Sequence, residues 1–355
     1  MQNSIDMRQY GWTPVSADEE KDSGELIARI TAVHRERYEA VCAAGPVSAR
    51  LKAGVYYGEG DEDFPTAGDF VRLQYNDAGD SLIAGTLERR SLFSRRDPTP
   101  GRGEQAVAAN FDYVFIVTSL NQEFNLKRLE RYLTAAWQSG GLPVVVLTKA
   151  DLAPDAAAMC REAERLAPGV GVFPVSAVTG QGLEALGAYL SPGKTVVLLG
   201  SSGVGKSSLI NALAGREVMD TGEIREDDAR GRHTTTHRQL LMLPCHAMVI
   251  DTPGMRQLGM WDVSTGLGET FGDVEELAAR CRFRDCTHTG EPGCAVRAAM
   301  EAGQLERSRW DSYCKLKQEA AFDGDKAAYL RQKQKKHKGI SKAIRRMEKG
   351  QVEWE

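Results

Sequence analysis

The chain has 355 residues, enough for two or three domains. With 42% hydrophobic and 26% charged residues it falls in the ordinary globular range, which excludes a disordered or fibrous chain. The net charge of −4 is unevenly spread, since Lys326 to Lys349 holds ten Lys or Arg against one acid, giving that tail +9 and the remainder −13. A basic tail on an acidic body fits either a polyanionic partner or a solvated helix face. No apolar run approaches the ~18 residues of a membrane span, and the start lacks the pattern of a secretory signal. A cytoplasmic protein without a membrane partner is expected, its seven cysteines being thiols or metal ligands rather than disulfides.

Residues 1–24 are polar and read as a loose or lightly docked extension. From 25 to 94 the sequence breaks into five short alternating runs, ELIARITAV, YEAVCAA, VSARLKA, DFVRLQY and SLIAGTLE, separated by Gly, Pro, Asn and Asp. Five such strands predict a small β-barrel of the oligonucleotide-binding (OB) type, and an SH3-like barrel fits the same count. The Arg-rich stretch RRSLFSRRDPTPGRG, with Pro98 and Pro100, reads as an irregular linker.

Apolar strands then alternate with helices. DYVFIVTS, PVVVLTK, GVFPVS and TVVLLG are strands, whereas Leu126 to Trp137, APDAAAMCREAERL, GLEALGAYL and GKSSLINALAG are helical. That rhythm predicts a parallel sheet covered on both faces over residues 95–270. From Phe271 the chain is mostly helical to about residue 330 and encloses a cysteine cluster, and 331–355 is the basic tail.

Gly200-Ser201-Ser202-Gly203-Val204-Gly205-Lys206-Ser207, followed by Ser208, fits G-x-x-x-x-G-K-[ST] between a strand and a helix. Glycines let backbone N–H groups turn toward phosphate oxygens, the lysine ammonium reaches the β- and γ-phosphates, and the serine hydroxyl binds Mg²⁺. Asp251 and Gly254, in Asp251-Thr252-Pro253-Gly254, stand about 45 residues beyond Lys206, where an acid can serve the Mg²⁺ shell and an N–H the γ-phosphate. Between them, Gly231 to His237 carries Thr234 and Thr235, either of which could bring a hydroxyl to Mg²⁺ as a switch loop does; a polar linker is the plainer reading. Magnesium is therefore expected on Ser207, Thr235 and Asp251.

Thr148-Lys149-Ala150-Asp151 and Ser176-Ala177, each following an apolar strand, resemble the two base-reading loops of Ras-like GTPases, with Thr148 in place of the usual asparagine. An aspartate there accepts hydrogen bonds that guanine offers and adenine does not. The cofactor expected is GTP or GDP rather than ATP, an ATP-dependent kinase or transport-type NTPase being the competitor. Both loops precede the phosphate loop, so the chain resembles a circularly permuted GTPase.

Cys281-x4-Cys286-x-His288-x5-Cys294 offers three thiols and an imidazole within 14 residues. Such a set can close a tetrahedral, structural Zn²⁺ shell, with redox chemistry or surplus core cysteines as alternatives.

Taken in order, barrel, permuted GTPase and Cys3His module resemble the ribosome small-subunit-dependent GTPases (RsgA-like) from Gly24 to about Leu330. The resemblance implies GTP hydrolysis to GDP and phosphate in late maturation of the small ribosomal subunit, rRNA binding through barrel and zinc module, and activation by the subunit. An RNA-binding assembly chaperone, in which GTP gates affinity and turnover is incidental, is the alternative. A monomer with one Zn²⁺ is expected. Met255 stands where many GTPases have a water-orienting glutamine and cannot orient water, so His233 and His237 become candidates, although either could be a plain loop histidine.

Overall fold

In a computed structural model of the chain, residues 4–14, 24–34, 37–56, 64–96, 104–121, 124–219, 238–251 and 264–320 are described. The chain divides into two compact units, Met1–Gly259 and Met260–Glu355.

In the first unit, β1 (Leu26–Val33), β2 (Tyr38–Cys42), β3 (Gly45–Leu51), β4 (Phe70–Gln74) and β5 (Ser81–Thr86) form the predicted barrel. The hydrogen-bonded order β1-β2-β3-β5-β4 closes because β4 also pairs with β1. All neighbours are antiparallel except β3 and β5. Closure removes the open edges that a five-stranded sheet would otherwise expose. Every second residue of β1 and its neighbours, among them Ala28, Ile30, Ala40, Val71, Leu73 and Ile83, fills the interior. The extension docks on this barrel: the Ile5 N–H bonds the Ala43 carbonyl at 2.9 Å, and the Trp12 ring lies 5.0 Å from that of Phe70.

Arg-rich residues after the barrel depart from the expected irregular linker. β6 (Leu92–Arg96) pairs with β7 (Glu104–Ala109) as a separate hairpin. Pro98, Pro100 and the glycines fall in the connection, leaving the strands free of breakers, and Phe93, Val107 and Ala108 are buried.

The nucleotide-type sheet runs β10 (Val172–Pro174), β9 (Leu142–Thr148), β8 (Tyr113–Ser119), β11 (Thr195–Leu199), β13 (Met248–Asp251) and β12 (Arg238–Met242). All pairs are parallel except β12–β13. The chain starts near the middle at β8, steps outward to β10, returns to β11 and only then crosses to the other side. The apolar runs are buried on both faces by alternation. Val114, Ile116, Val145, Leu147, Val197 and Leu199 pack with α1 (Leu126–Gln138) and α2 (Ala156–Leu166), whereas Phe115, Val117, Val144, Val146, Val196 and Leu198 pack with α3 (Lys206–Ala214) and the 3-10 helix Leu183–Tyr189. In α1, Leu129, Leu133 and Ala136 recur at helical spacing on the buried side, and Asn125 caps the start by accepting from the Arg128 N–H at 3.0 Å.

The barrel and this sheet are continuous, because β12 also pairs with β1 (Ala32 with Gln239, Val33 with Arg238). Beneath that seam Arg29 is fully buried. Its guanidinium donates to the carbonyls of Gly68 (3.2 Å), Asn110 (2.8 Å) and Tyr10, and lies over the Phe70 ring. Burial, with Arg90 nearby, pulls its pKa down to about 9.

The second unit holds α4 (Ser264–Thr270), α5 (Gly272–Ala279), α6 (Ala295–Glu301) and a helix over residues 307–320. Leu267, Phe271, Val274, Val296, Leu305, Tyr313 and Leu316 make its small core. Among the described residues no helix is long and apolar enough to cross a membrane.

Candidate nucleotide site and metal centre

The phosphate loop leaves the central strand β11 and opens α3, at the point where the sheet's connections reverse direction; such switch points place ligands beyond the strand ends. A side chain at Gly200 would put its Cβ 2.2 Å from the Val117 carbonyl oxygen, so only glycine lets the loop lie this close to β8. Gly203 and Gly205 adopt left-handed φ values of 78° and 97°. Lys206 folds back over the loop and donates to the carbonyls of Gly200 (2.8 Å) and Ser201 (2.6 Å). Val204 is buried beneath, while Ser202, Ser207 and Ser208 are half-buried.

Thr148-Lys149-Ala150-Asp151 and Ser176-Ala177 reach the same place. Thr148, at the end of β9, is buried and donates its hydroxyl to the Val204 carbonyl (2.5 Å) and toward that of Thr118 (3.3 Å). The threonine thus ties its loop to the phosphate loop although it replaces an asparagine. Lys149, at φ 59°, extends across the phosphate loop and donates to the Gly203 carbonyl at 3.0 Å. Asp151 follows on an exposed 3-10 turn. The Ala150 N–H bonds the Val175 carbonyl at 3.1 Å, which brings this loop beside Ser176 and Ala177. Ser176 is buried and its hydroxyl accepts from the Thr179 N–H, bracing the second loop.

Asp251 ends β13, the parallel neighbour of β11, and is buried close to where the phosphate loop begins. His233, Thr234, Thr235, His237, Gly254 and Met255 lie outside the described residues. Just after the first of these segments, Arg238 is anchored to β7 by bonds to the Ala106 carbonyl (2.6 Å) and Gln105 (2.9 Å), and burial, with Arg95 nearby, lowers its pKa to about 10.

Two residues not anticipated from sequence also touch the loop. Arg128 donates to the Ser201 hydroxyl at 3.0 Å, and the Tyr132 hydroxyl stands 3.2 Å from the same oxygen. The available signal was a polar i, i+4 pair on an otherwise amphipathic helix.

In the second unit, ligand atoms of Cys281, Cys286, His288 and Cys294 all lie within 4.8 Å of one another. The Cys281 and Cys294 sulfurs are each 3.5 Å from His288 Nδ1 and 4.0 Å apart. Metal–sulfur bonds of about 2.3 Å and metal–nitrogen bonds of about 2.0 Å give tetrahedral edges of roughly 3.5–3.8 Å, so the cluster fits Zn²⁺. Two other elements fix it. Cys294 caps α6, its sulfur accepting from the Arg297 N–H, and the His288 ring meets Trp310 edge-on at 5.1 Å.

A phosphate loop on the central strand, a Thr-Lys-x-Asp loop hydrogen-bonded to it and a strand order that starts in mid-sheet define a circularly permuted P-loop GTPase. The RsgA GTPase family model matches residues 86–261. The chain is 46% identical over 341 residues to Small ribosomal subunit biogenesis GTPase RsgA 2 of Listeria monocytogenes serotype 4b, covering 96% of this chain and 97% of the relative. It is 44% identical over 303 residues to the RsgA of Methanosarcina acetivorans, covering 85% and 81%. Among solved structures, YjeQ from Thermotoga maritima superposes with TM-score 0.61 at 27% identity, covering 82% of this chain and 97% of that one. YloQ, described as a circularly permuted GTPase, shares the fold at TM-score 0.58 and 23% identity, with 83% and 95% covered. The chain belongs to the RsgA GTPase family and is a GTP-hydrolysing enzyme.

Proposed function

We propose that the protein hydrolyses GTP in late maturation of the small ribosomal subunit, binding rRNA and turning over faster on the subunit. The observation that carries this reading is the unbroken sheet from the barrel to the phosphate loop: β1 belongs to the barrel and, through β12 and β13, to the nucleotide site. RNA held on the barrel and nucleotide held on β11 then act on one hydrogen-bonded frame. Names of relatives such as the Listeria protein supply the ribosomal setting.

In this reading residues 25–94 form the RNA-binding barrel, 95–270 the GTPase, 271–330 the zinc module and 331–355 a basic tail. Lys206 exchanges its carbonyl partners for phosphate oxygens, and the loop N–H groups with the α3 N-terminus bind the remaining negative charge. Asp151 accepts from guanine, with Thr148, Lys149, Ser176 and Ala177 shaping the base pocket. Ser207, Thr235 and Asp251 would hold Mg²⁺, whose charge would stabilise the transferring phosphoryl group. Gly254 serves the γ-phosphate. With Met255 unable to orient water, His233 or His237 takes that part on the subunit. Zn²⁺ on the four C-terminal ligands is structural. The protein works in the cytoplasm as a monomer.

GTP turnover with purified small subunits, large subunits and neither tests this. A gain of about 3 kcal/mol in transition-state stabilisation corresponds to roughly 150-fold, seen with small subunits alone and weakening as salt rises. Equal turnover in all three would remove the ribosomal role, and salt-dependent binding identical with GTP and GDP would favour a passive chaperone.

A further inference from the structure

We propose that α1 is part of the nucleotide site: Arg128 and Tyr132 together clamp Ser201 and so set the shape in which the phosphate loop receives GTP. Arg128 and Tyr132 are one helical turn apart on α1, and both hold the same Ser201 hydroxyl, at 3.0 and 3.2 Å. Ser201 is gripped from its other side as well, its carbonyl accepting from Lys206 at 2.6 Å. A short chain of contacts therefore runs from α1 through a single loop residue to the ammonium that meets the phosphates.

The rest of the loop explains why such a clamp matters. Its glycines at 203 and 205 supply left-handed turns but also backbone freedom, and freedom in a phosphate cradle costs affinity when nucleotide orders it. Thr148 pins the far end through the Val204 carbonyl. Ser201 at the near end can be fixed by side-chain contact because it carries a hydroxyl. α1 is itself rigid: Asn125 caps it and Leu129, Leu133 and Ala136 anchor it in the core. The guanidinium also adds positive charge beside a loop whose ligand is a polyanion. Arg128 and Tyr132 are positioning residues, acting through Ser201.

A clamp that preorganises the loop stabilises bound substrate and transition state alike, so its loss raises KM and leaves kcat unchanged. The test is steady-state GTP hydrolysis, with fluorescent GDP binding alongside, for Ser201→Ala, Arg128→Gln, Arg128→Lys, Tyr132→Phe and the Ser201→Ala/Arg128→Gln pair. Ser201→Ala and Arg128→Gln should each raise KM and the GDP Kd about tenfold, the size of a lost charge-assisted hydrogen bond. Arg128→Lys should recover part of that, and Tyr132→Phe should cost less. In the double variant the combined effect should fall clearly short of the product of the two single effects, because both remove the Arg128–Ser201 bond. Unchanged KM in the folded single variants, or effects that multiply in the pair, would overturn the proposal. Ser201→Ala lies in a loop outside the core, so it keeps the test decisive even if the α1 variants lose stability.

Discussion

The nucleotide site and the cysteine cluster hold their geometry by opposite means. In the first unit a long sheet, buried on both faces, carries the phosphate loop on its central strand, and side chains from the end of β9 and from α1, Thr148, Lys149 and Arg128, hold that loop. In the second, four side chains from a stretch of 14 residues converge at a small core that includes Cys294 and packs against Cys281 and Cys286. The first arrangement takes its order from the core beneath it. The second brings the Cys281 and Cys294 sulfurs to 4.0 Å and all four ligand atoms within 4.8 Å, an arrangement that bound Zn²⁺ would hold together.

Chelating Zn²⁺, or replacing Cys286 by serine, sharpens that contrast most. Structural zinc contributes on the order of 10 kcal/mol to small modules, so the region around Cys281 to Cys294 should lose exchange protection while GDP binding in the first unit stays within about twofold. Hydrogen exchange read segment by segment checks it. Uniform loss of protection in both units would break the comparison.

Next in size is the joint inside the first unit. Arg29→Met removes the donor shared by the Gly68, Asn110 and Tyr10 carbonyls and leaves them buried without it, which should cost about 3 kcal/mol in chemical denaturation. A loss below about 1 kcal/mol would mean that the guanidinium's burial, rather than its bonds, dominates.

Lys206→Ala should lower kcat/KM for GTP at least a hundredfold, about 2.7 kcal/mol, with an unchanged unfolding midpoint, because it deletes a phosphate-binding charge that bonds the Gly200 and Ser201 carbonyls and leaves the apolar core intact. A variant with wild-type turnover would remove the phosphate-loop assignment.

The smallest effect is electrostatic and belongs to the second unit. Burial raises the Asp273 carboxyl, but two hydrogen bonds and the charge of Arg309 (2.7 and 2.8 Å) outweigh it and hold it below the usual carboxylate range. A carboxyl depressed in the folded state contributes stability above its unfolded pKa, and that contribution is lost as pH falls through the folded value. The second unit should therefore weaken modestly in acid, and Asp273→Asn should flatten that dependence. Asp273 is half exposed, so the change is small.

Much of this was legible in the residues. Five alternating runs gave the five barrel strands because a half-buried strand writes its two faces into the sequence, and Val-rich runs gave β8, β9 and β11 because parallel strands are buried on both sides. The glycine loop and the cysteine spacing were readable because their chemistry tolerates few residue types. The hairpin of β6 and β7 was hidden by Pro98 and Pro100, which lie between its strands rather than in them. Arg29 is one polar residue within β1, and nothing local in the sequence reveals that Tyr10, Gly68 and Asn110 converge on it. Arg128 and Tyr132 were missed for a similar reason: contact with Ser201 depends on a parallel pairing of β8 and β11 that joins residues about 80 apart.

We propose that the first unit carries the GTPase and that the second unit, with Zn²⁺ on its four ligands, joins the barrel in binding the small subunit. This is tested most directly by GTP turnover of the wild type and Cys286→Ser, each with and without purified small subunits. We expect equal turnover of the two proteins alone, and stimulation by subunits that survives in the wild type and is largely lost in the variant. Equal stimulation of both, or a variant inactive even by itself, would contradict it.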